Sequence, residues 1–167
     1  MSDTLVPNPP VSTPPVPSLP VSSPPVPVQT PLHLVVQLKS KEDSQQIKAQ
    51  LLANMDGMQQ GMDSVGTVHF AHWFFLDDDM RLILTTEYDG DFNTYILDFI
   101  KSIGPLFNAL LPHVIDPPSL PVAAYPDEFV KWVSDHNVPV AGRLITAYPK
   151  LTVLAIRHLE KLASSGS

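Results

Sequence analysis

Histidine is the side chain best suited to proton transfer near neutral pH, and this chain has six of them. The two closest in sequence, His69 and His72, are three residues apart. Side chains alternate along a strand, so this odd spacing sends the two imidazoles to opposite faces, where they cannot share a metal ion. The chain has no cysteine, no HExxH pair and no Gly-x-Ser-x-Gly turn. Thiol nucleophiles, Cys-based zinc sites, Fe–S clusters and the common serine-hydrolase motif are therefore excluded.

One polar cluster follows from the hairpin that contains His72. If Leu76 lies opposite Arg81, alternation along the two strands brings one set of side chains to the same face. We predict that this set binds substrate: Phe70, His72, Phe74, Thr85 and Glu87. A carboxylate beside the imidazole would favour its protonated form and support proton transfer. A structural cross-strand pair or a solvated edge is the alternative, and a shift of one residue would bring His69 to this face instead. No catalytic residue is assigned.

His113 is the candidate cofactor ligand. It follows an apolar helix and precedes a proline-rich loop, where a neutral imidazole could bind haem iron. Phe99, Phe107 and Leu110 would supply apolar walls. The alternative is structural, because a histidine near a helix C-terminus interacts favourably with the helix dipole. No metal site is predicted elsewhere, since the aspartates at 77–79 do not have the spacing of a calcium-binding loop.

The elements that position these residues follow the order β-α-β-β-α-(α)-β-α. Alternation predicts a strand at residues 32–39, and aromatic and β-branched residues predict one at 66–76. Further strands are expected at 81–88 and 140–147, and helical spacing predicts helices between and after the strands. Ser40 and Asp91 are the expected N-caps, and Gly57 and Gly61 are expected to break or fray the first helix. This order is typical of an α+β fold with the ferredoxin-like split βαβ pattern. We therefore predict an antiparallel four-stranded sheet with helices on one face and extra C-terminal helices.

The strand at 66–76 is apolar on both sides, which is unusual for a sheet with one solvated face. We therefore expect both faces to be covered. A second copy of the sheet would do this in a homodimer, a dimeric α+β barrel. The alternative cover is the chain's own C-terminal helix or proline-rich loop.

Two stretches carry a family resemblance. VGTVHFAHWFFLDDDMRLILTTEYDGDFNTYILDF at residues 65–99 resembles a little-characterised bacterial group of the dimeric α+β barrel superfamily, and GRLITAYPKLTV at 142–153 adds to it. The group has a VHFA(R/H)W…YDGDF-type hairpin and often carries arginine where this chain has His72, so no role is carried over for His72. The superfamily includes haem peroxidases, haem-degrading monooxygenases and cofactor-free monooxygenases. The resemblance thus implies a fold and leaves the activity open.

Composition divides the chain into an arm and one domain. Eleven of the 19 prolines lie in the first 31 residues, whose one charged side chain is Asp3. We predict a disordered proline-rich arm at 1–31, a domain at 32–163 and a disordered tail at 164–167. A net charge of −7 argues against nucleic acid as a partner. With no signal peptide and no apolar run of about 18 residues, we expect a cytoplasmic protein without a membrane span.

These features predict a dimeric α+β barrel that binds a small hydrophobic molecule. An oxidoreductase or monooxygenase acting on such a substrate is one expectation, and whether the protein is an enzyme is left open. Two alternatives remain. One is a non-catalytic dimerisation or scaffold domain tethered by the proline-rich arm, and the other is a haem-binding, peroxidase-like protein.

Overall fold

The computed structural model describes residues 27–165, which form a mixed α+β domain with one antiparallel three-stranded sheet and five α-helices. The strands are β1 (Thr30–Gln37), β2 (Val68–Leu76) and β3 (Arg81–Tyr88). The helices are α1 (Lys41–Ala53), α2 (Met55–Val65), α3 (Phe92–Leu110), α4 (Pro126–Asp135) and α5 (Val153–Ser165). Two 3₁₀ turns, Leu111–His113 and Val122–Ala124, separate α3 from α4.

The sheet has the order β1-β3-β2, with β3 antiparallel to both neighbours. β1 and β2 therefore run parallel, and α1 and α2 connect them. Leu76 lies opposite Arg81, so the hairpin has the register assumed for the polar cluster and not the one shifted by a residue. In the part of the chain that the structure describes, β2 has a strand neighbour on one side only.

The core lies between one face of the sheet and helices α1 to α4. Leu34 and Val36 of β1 and Leu84 of β3 are buried on this face. Aromatic rings continue the core along α3, where Tyr95 stacks on Tyr88 at 3.8 Å and Phe99 lies 4.7 Å from Tyr95, centroid to centroid. The helices thus cover one sheet face, as predicted.

The predicted fourth strand at 140–147 is wrong. In the described residues this segment is irregular, and the outer edge of β1 is met by single bridges from Asn137 and Val114. The Val138 N–H donates to the His33 carbonyl at 2.9 Å, and pairing stops there. The His33 N–H donates to Asn137 Oδ1 at 3.0 Å, so it does not form the second backbone bond that a continuing ladder would need.

Both predicted helix N-caps are present in the structure, whereas the break in the first helix lies at a different residue from the one predicted. Ser40 accepts from the Asp43 N–H at 3.1 Å, and Asp91 accepts from the Thr94 N–H at 3.0 Å. The break predicted at Gly57 and Gly61 instead falls at Asn54, and α2 runs through both glycines. A Cβ on Gly61 would lie 2.3 Å from Ile103 Cγ2, so this glycine permits the close approach of α2 to α3.

The domain begins before residue 32. Gln29 is buried, and β1 starts at Thr30. Residues 1–26 of the predicted arm, and the last two residues of the predicted tail, lie outside the described part. At the other end α5 continues to Ser165. Within residues 27–165, no helix combines the length and apolar character needed to cross a membrane.

Candidate functional site

The five predicted binding residues share the sheet face that the helices leave open. His72 lies opposite Thr85, Phe70 opposite Glu87, and Phe74 opposite Ile83. The Thr85 hydroxyl and His72 Nε2 are 2.8 Å apart, and the His72 ring stacks with Phe74 at 5.9 Å. The predicted grouping is therefore confirmed, while its role in binding stays a prediction. The hydrogen-bond partner of His72 is Thr85, and the predicted neighbour Glu87 lies two residue pairs farther along the strands.

A cleft of about 450 Å³ lies over one end of this face. Phe70, His72 and Glu87 form its floor, and residues 144–148 form its other side. Residues 144–148, which belong neither to the C-terminal helix nor to the proline-rich loop expected as alternative covers, thus border part of the open face. Within residues 27–165 the rest of this face is uncovered, since Phe74 is 37% exposed and Leu76 48%.

His69 lies in a β-bulge, which changes its predicted surroundings. Val68 pairs with Tyr88 and Phe70 with Glu87, so the extra residue between them has no partner on β3. In the assumed register His69 would face the helices beside Tyr88. The His69 side chain is buried, but Val68 is the residue opposite Tyr88. His69 Nε2 instead bonds Asp89 Oδ1 at 2.8 Å.

Asp89 is a buried carboxylate that joins three parts of the chain. Its Oδ1 accepts from the Gln29 N–H at 3.1 Å as well as from His69, and its Oδ2 accepts from the Val153 N–H at 2.8 Å. Val153 is the first residue of α5, where backbone N–H groups have no partner within the helix. Asp89, 64 residues earlier in the sequence, accepts the hydrogen bond from one of these N–H groups. Gln29 adds bonds from its side-chain amide to the carbonyls of Tyr148 and Leu151. The cluster fixes the segment that borders the cleft.

His113 has a structural partner. Its Nδ1 lies 2.7 Å from Asp43 Oδ1, near the N-terminus of α1. Hydrogen bonds from Ser40 and then His113 lower the pKa of Asp43. The pair thus ties α1 to the turn after α3.

The surroundings of His113 do not fit the predicted haem. Its expected walls, Phe99, Phe107 and Leu110, are packed in the core. Phe107 and Leu110 line a cavity of only about 20 Å³, enough for about one water molecule. No step of chemistry is therefore assigned to haem.

Each aspartate of the hairpin turn forms an ion pair with a lysine or an arginine. Asp77 lies 2.9 Å from Arg81, Asp79 lies 2.5 Å from Lys48, and Asp78 pairs with Lys41. All three backbones are left-handed, with φ between 52° and 68°, a region that aspartate tolerates better than most residues. The hydrogen bond and the charge of Lys41 lower the pKa of Asp78. Across the described residues, no group of three or more His, Asp or Glu side chains is placed to hold a metal ion.

A larger apolar groove lies on the other side of β2, between this strand and α1–α2. Its volume is about 520 Å³. The helical wall consists of Leu51, Leu52, Met55, Met58 and Met62, and the strand wall consists of Ala71, Trp73 and Phe75. We call this site the methionine groove. Leu52 is 75% exposed and Met55 57%, so apolar side chains reach solvent at its mouth.

Three polar residues contact the methionine groove. Gln59 lies on α2, His72 on β2, and Lys48 on α1. The Lys48 ammonium lies 4.8 Å from the centre of the Phe75 ring and is bonded to Asp79 on the exposed turn. Lys48 is the only one of the described groove-lining residues that is a Lys, Arg, Asp or Glu and so carries a formal charge.

The sequence predicted the helix and the strand that form the walls of this groove, but it did not predict a groove between them. Met55, Met58 and Met62 are expected from their spacing to fill gaps in the core. Met58 is buried, whereas Met55 is largely exposed. The helix break at Asn54 decides this, because it turns α2 away from the line of α1. The signal that could have located the site is a run of three methionines on one helix beside an aromatic edge strand.

No protein-family model matches the chain, and neither a curated protein nor a solved structure is significantly similar to it. The family resemblance of residues 65–99 therefore stays a prediction.

Proposed function

We propose that the protein binds a small apolar molecule in the methionine groove. The observation that carries this proposal is the groove itself, about 520 Å³ with walls made mostly of apolar side chains. Ligand sites in proteins commonly have volumes of about 300–1,000 Å³, apolar walls and a few polar groups. Methionine side chains are flexible and polarisable, which suits a ligand without a fixed shape.

Neutral alcohols test this function directly. Octan-1-ol and decan-1-ol should change the tryptophan emission of the full chain, because Trp73 lines the groove. Each added methylene that is buried should tighten binding about fourfold, so decan-1-ol should bind roughly sixteen times more tightly than octan-1-ol.

Two matched variants locate the binding. Leu52→Asp places a charge at the mouth of the groove and should weaken decan-1-ol binding by tenfold or more. Leu159→Asp changes a similarly exposed leucine on α5 and should leave binding unchanged. Equal affinities in both variants would show that the alcohol binds elsewhere.

The open sheet face supports a second proposal, a homodimer of the ferredoxin-like, dimeric α+β barrel type. The order β1-β3-β2 with helices on one face agrees with a split βαβ unit that lacks the fourth strand. Phe70, Phe74 and Leu76 expose apolar surface on the other face. A second copy would bury these side chains and would close the cleft over His72, Thr85 and Glu87, where an oxidoreductase substrate could then bind.

Sedimentation tests the dimer. The full chain should sediment at about twice its mass of 18.3 kDa at micromolar concentration. Phe74→Asp should give a monomer, because it places a charge in the centre of the buried face. Leu52→Asp, outside that face, should remain dimeric. If the wild-type chain is a monomer, the dimer proposal is wrong. The scaffold alternative then has no dimer interface, and no second copy closes the cleft on the open face.

A further inference from the structure

We propose that the methionine groove selects a linear alkyl carboxylate, with the carboxylate on Lys48 and the alkyl chain along the methionines. This inference rests on the proposed function and specifies the ligand class of the same site.

Charge is the first argument. Of the described residues lining the groove, Lys48 alone carries a formal charge, and that charge is positive. A cationic head group would be repelled by this ammonium, whereas an anionic head group can pair with it in place of Asp79. A single ammonium matches a monocarboxylate better than a doubly charged phosphate.

The position of Lys48 is the second argument. Its ammonium is held over the Phe75 ring at one end of the groove, and its partner Asp79 lies on the exposed hairpin turn. The side chains of Lys48 and Asp79 are 34% and 38% exposed, so this pair is open to exchange. A ligand carboxylate can replace Asp79 on Lys48, and the Asp79 carboxylate then returns to water.

The shape of the groove is the third argument. From Lys48 the site continues along Leu51, Met58 and Met62 on one side and Trp73 on the other. These side chains offer apolar contact and, apart from the indole N–H, no hydrogen-bonding group. A flexible alkyl chain needs nothing else from them, whereas a ligand with several polar groups would find only Gln59 and His72 as further polar partners among the described lining residues.

Calorimetric titration with decanoate and decan-1-ol at pH 7.5 tests the assignment, with both ligands below their aggregation limits. In the wild-type chain decanoate should bind about tenfold more tightly than the alcohol. Lys48→Met keeps the length of the side chain and removes its charge, and should abolish this preference without affecting the alcohol. Asp79→Asn removes the competing carboxylate and should tighten decanoate binding severalfold.

Lys41→Met is the matched control, because Lys41 pairs with Asp78 on the same turn but does not line the groove. It should leave both affinities unchanged. If the alcohol binds and Lys48→Met leaves decanoate binding unchanged, the head-group assignment is wrong and the groove remains an apolar site. If neither compound binds the wild-type chain, the proposed function itself fails.

Discussion

Replacing Phe99 by alanine should lower the free energy of unfolding by about 3–5 kcal/mol. Phe99 is buried at the middle of α3, between the rings of Tyr95 and Phe107 at 4.7 Å and 6.3 Å. Truncation removes its buried surface and leaves a cavity that two neighbouring rings cannot easily fill. Urea unfolding followed by circular dichroism measures the change.

Leu97 on the same helix provides the control. It is partly buried at the edge of the core, so Leu97→Ala should cost clearly less than Phe99→Ala. The helix propensity of the new residue is the same in both variants. A loss below about 1 kcal/mol for Phe99→Ala would contradict the packing of α3 against the sheet.

Asp89→Ala should be comparably destabilising, by about 3–5 kcal/mol, and should release the C-terminal segment. The substitution leaves three donors without their acceptor: the Gln29 N–H, the Val153 N–H and His69 Nε2. Each buried donor left unpaired costs about 1–3 kcal/mol. Hydrogen exchange should rise most at residues 148–156, because Asp89 fixes the start of α5.

Asp91→Ala is the matched control for this cluster. Asp91 is two residues away and caps α3, where the Thr94 N–H lowers its pKa. Its loss should fray the first turn of α3 and leave exchange in α5 unchanged. Equal exchange in α5 for both variants would show that Asp89 does not hold that helix.

The two proposed sites use different surfaces of β2. Its alternate side chains face the methionine groove and the open sheet face, and His72 contacts both the groove and the cleft. A ligand in the groove and a second copy on the open face could therefore be present together. Leu52→Asp and Phe74→Asp separate the two, since each variant is expected to change one property and preserve the other.

The sequence by itself determined most of the local structure. Alternating apolar residues predict β1, and aromatic and β-branched residues predict β2. Ser40 and Asp91 predict their helix starts, because strand composition and capping depend on neighbouring residues. The hairpin register did not follow from the sequence, because β2 is apolar on both faces and a shift of one residue would leave the pattern almost unchanged. The structure sets Leu76 opposite Arg81, and that pairing places Phe70, His72, Phe74, Thr85 and Glu87 on one face.

Tertiary structure decided what the sequence pattern could not. Residues 140–147 have the composition of a strand, but pairing on β1 ends at Val138, and the edge is met by single bridges from Asn137 and Val114 instead. The partner of His69 is Asp89, since a bulge removes the imidazole from the regular register. The methionine groove exists because α2 turns at Asn54 and packs against α3 through Gly61. These features depend on contacts between residues far apart in the chain, and such contacts leave no periodic signal in the sequence.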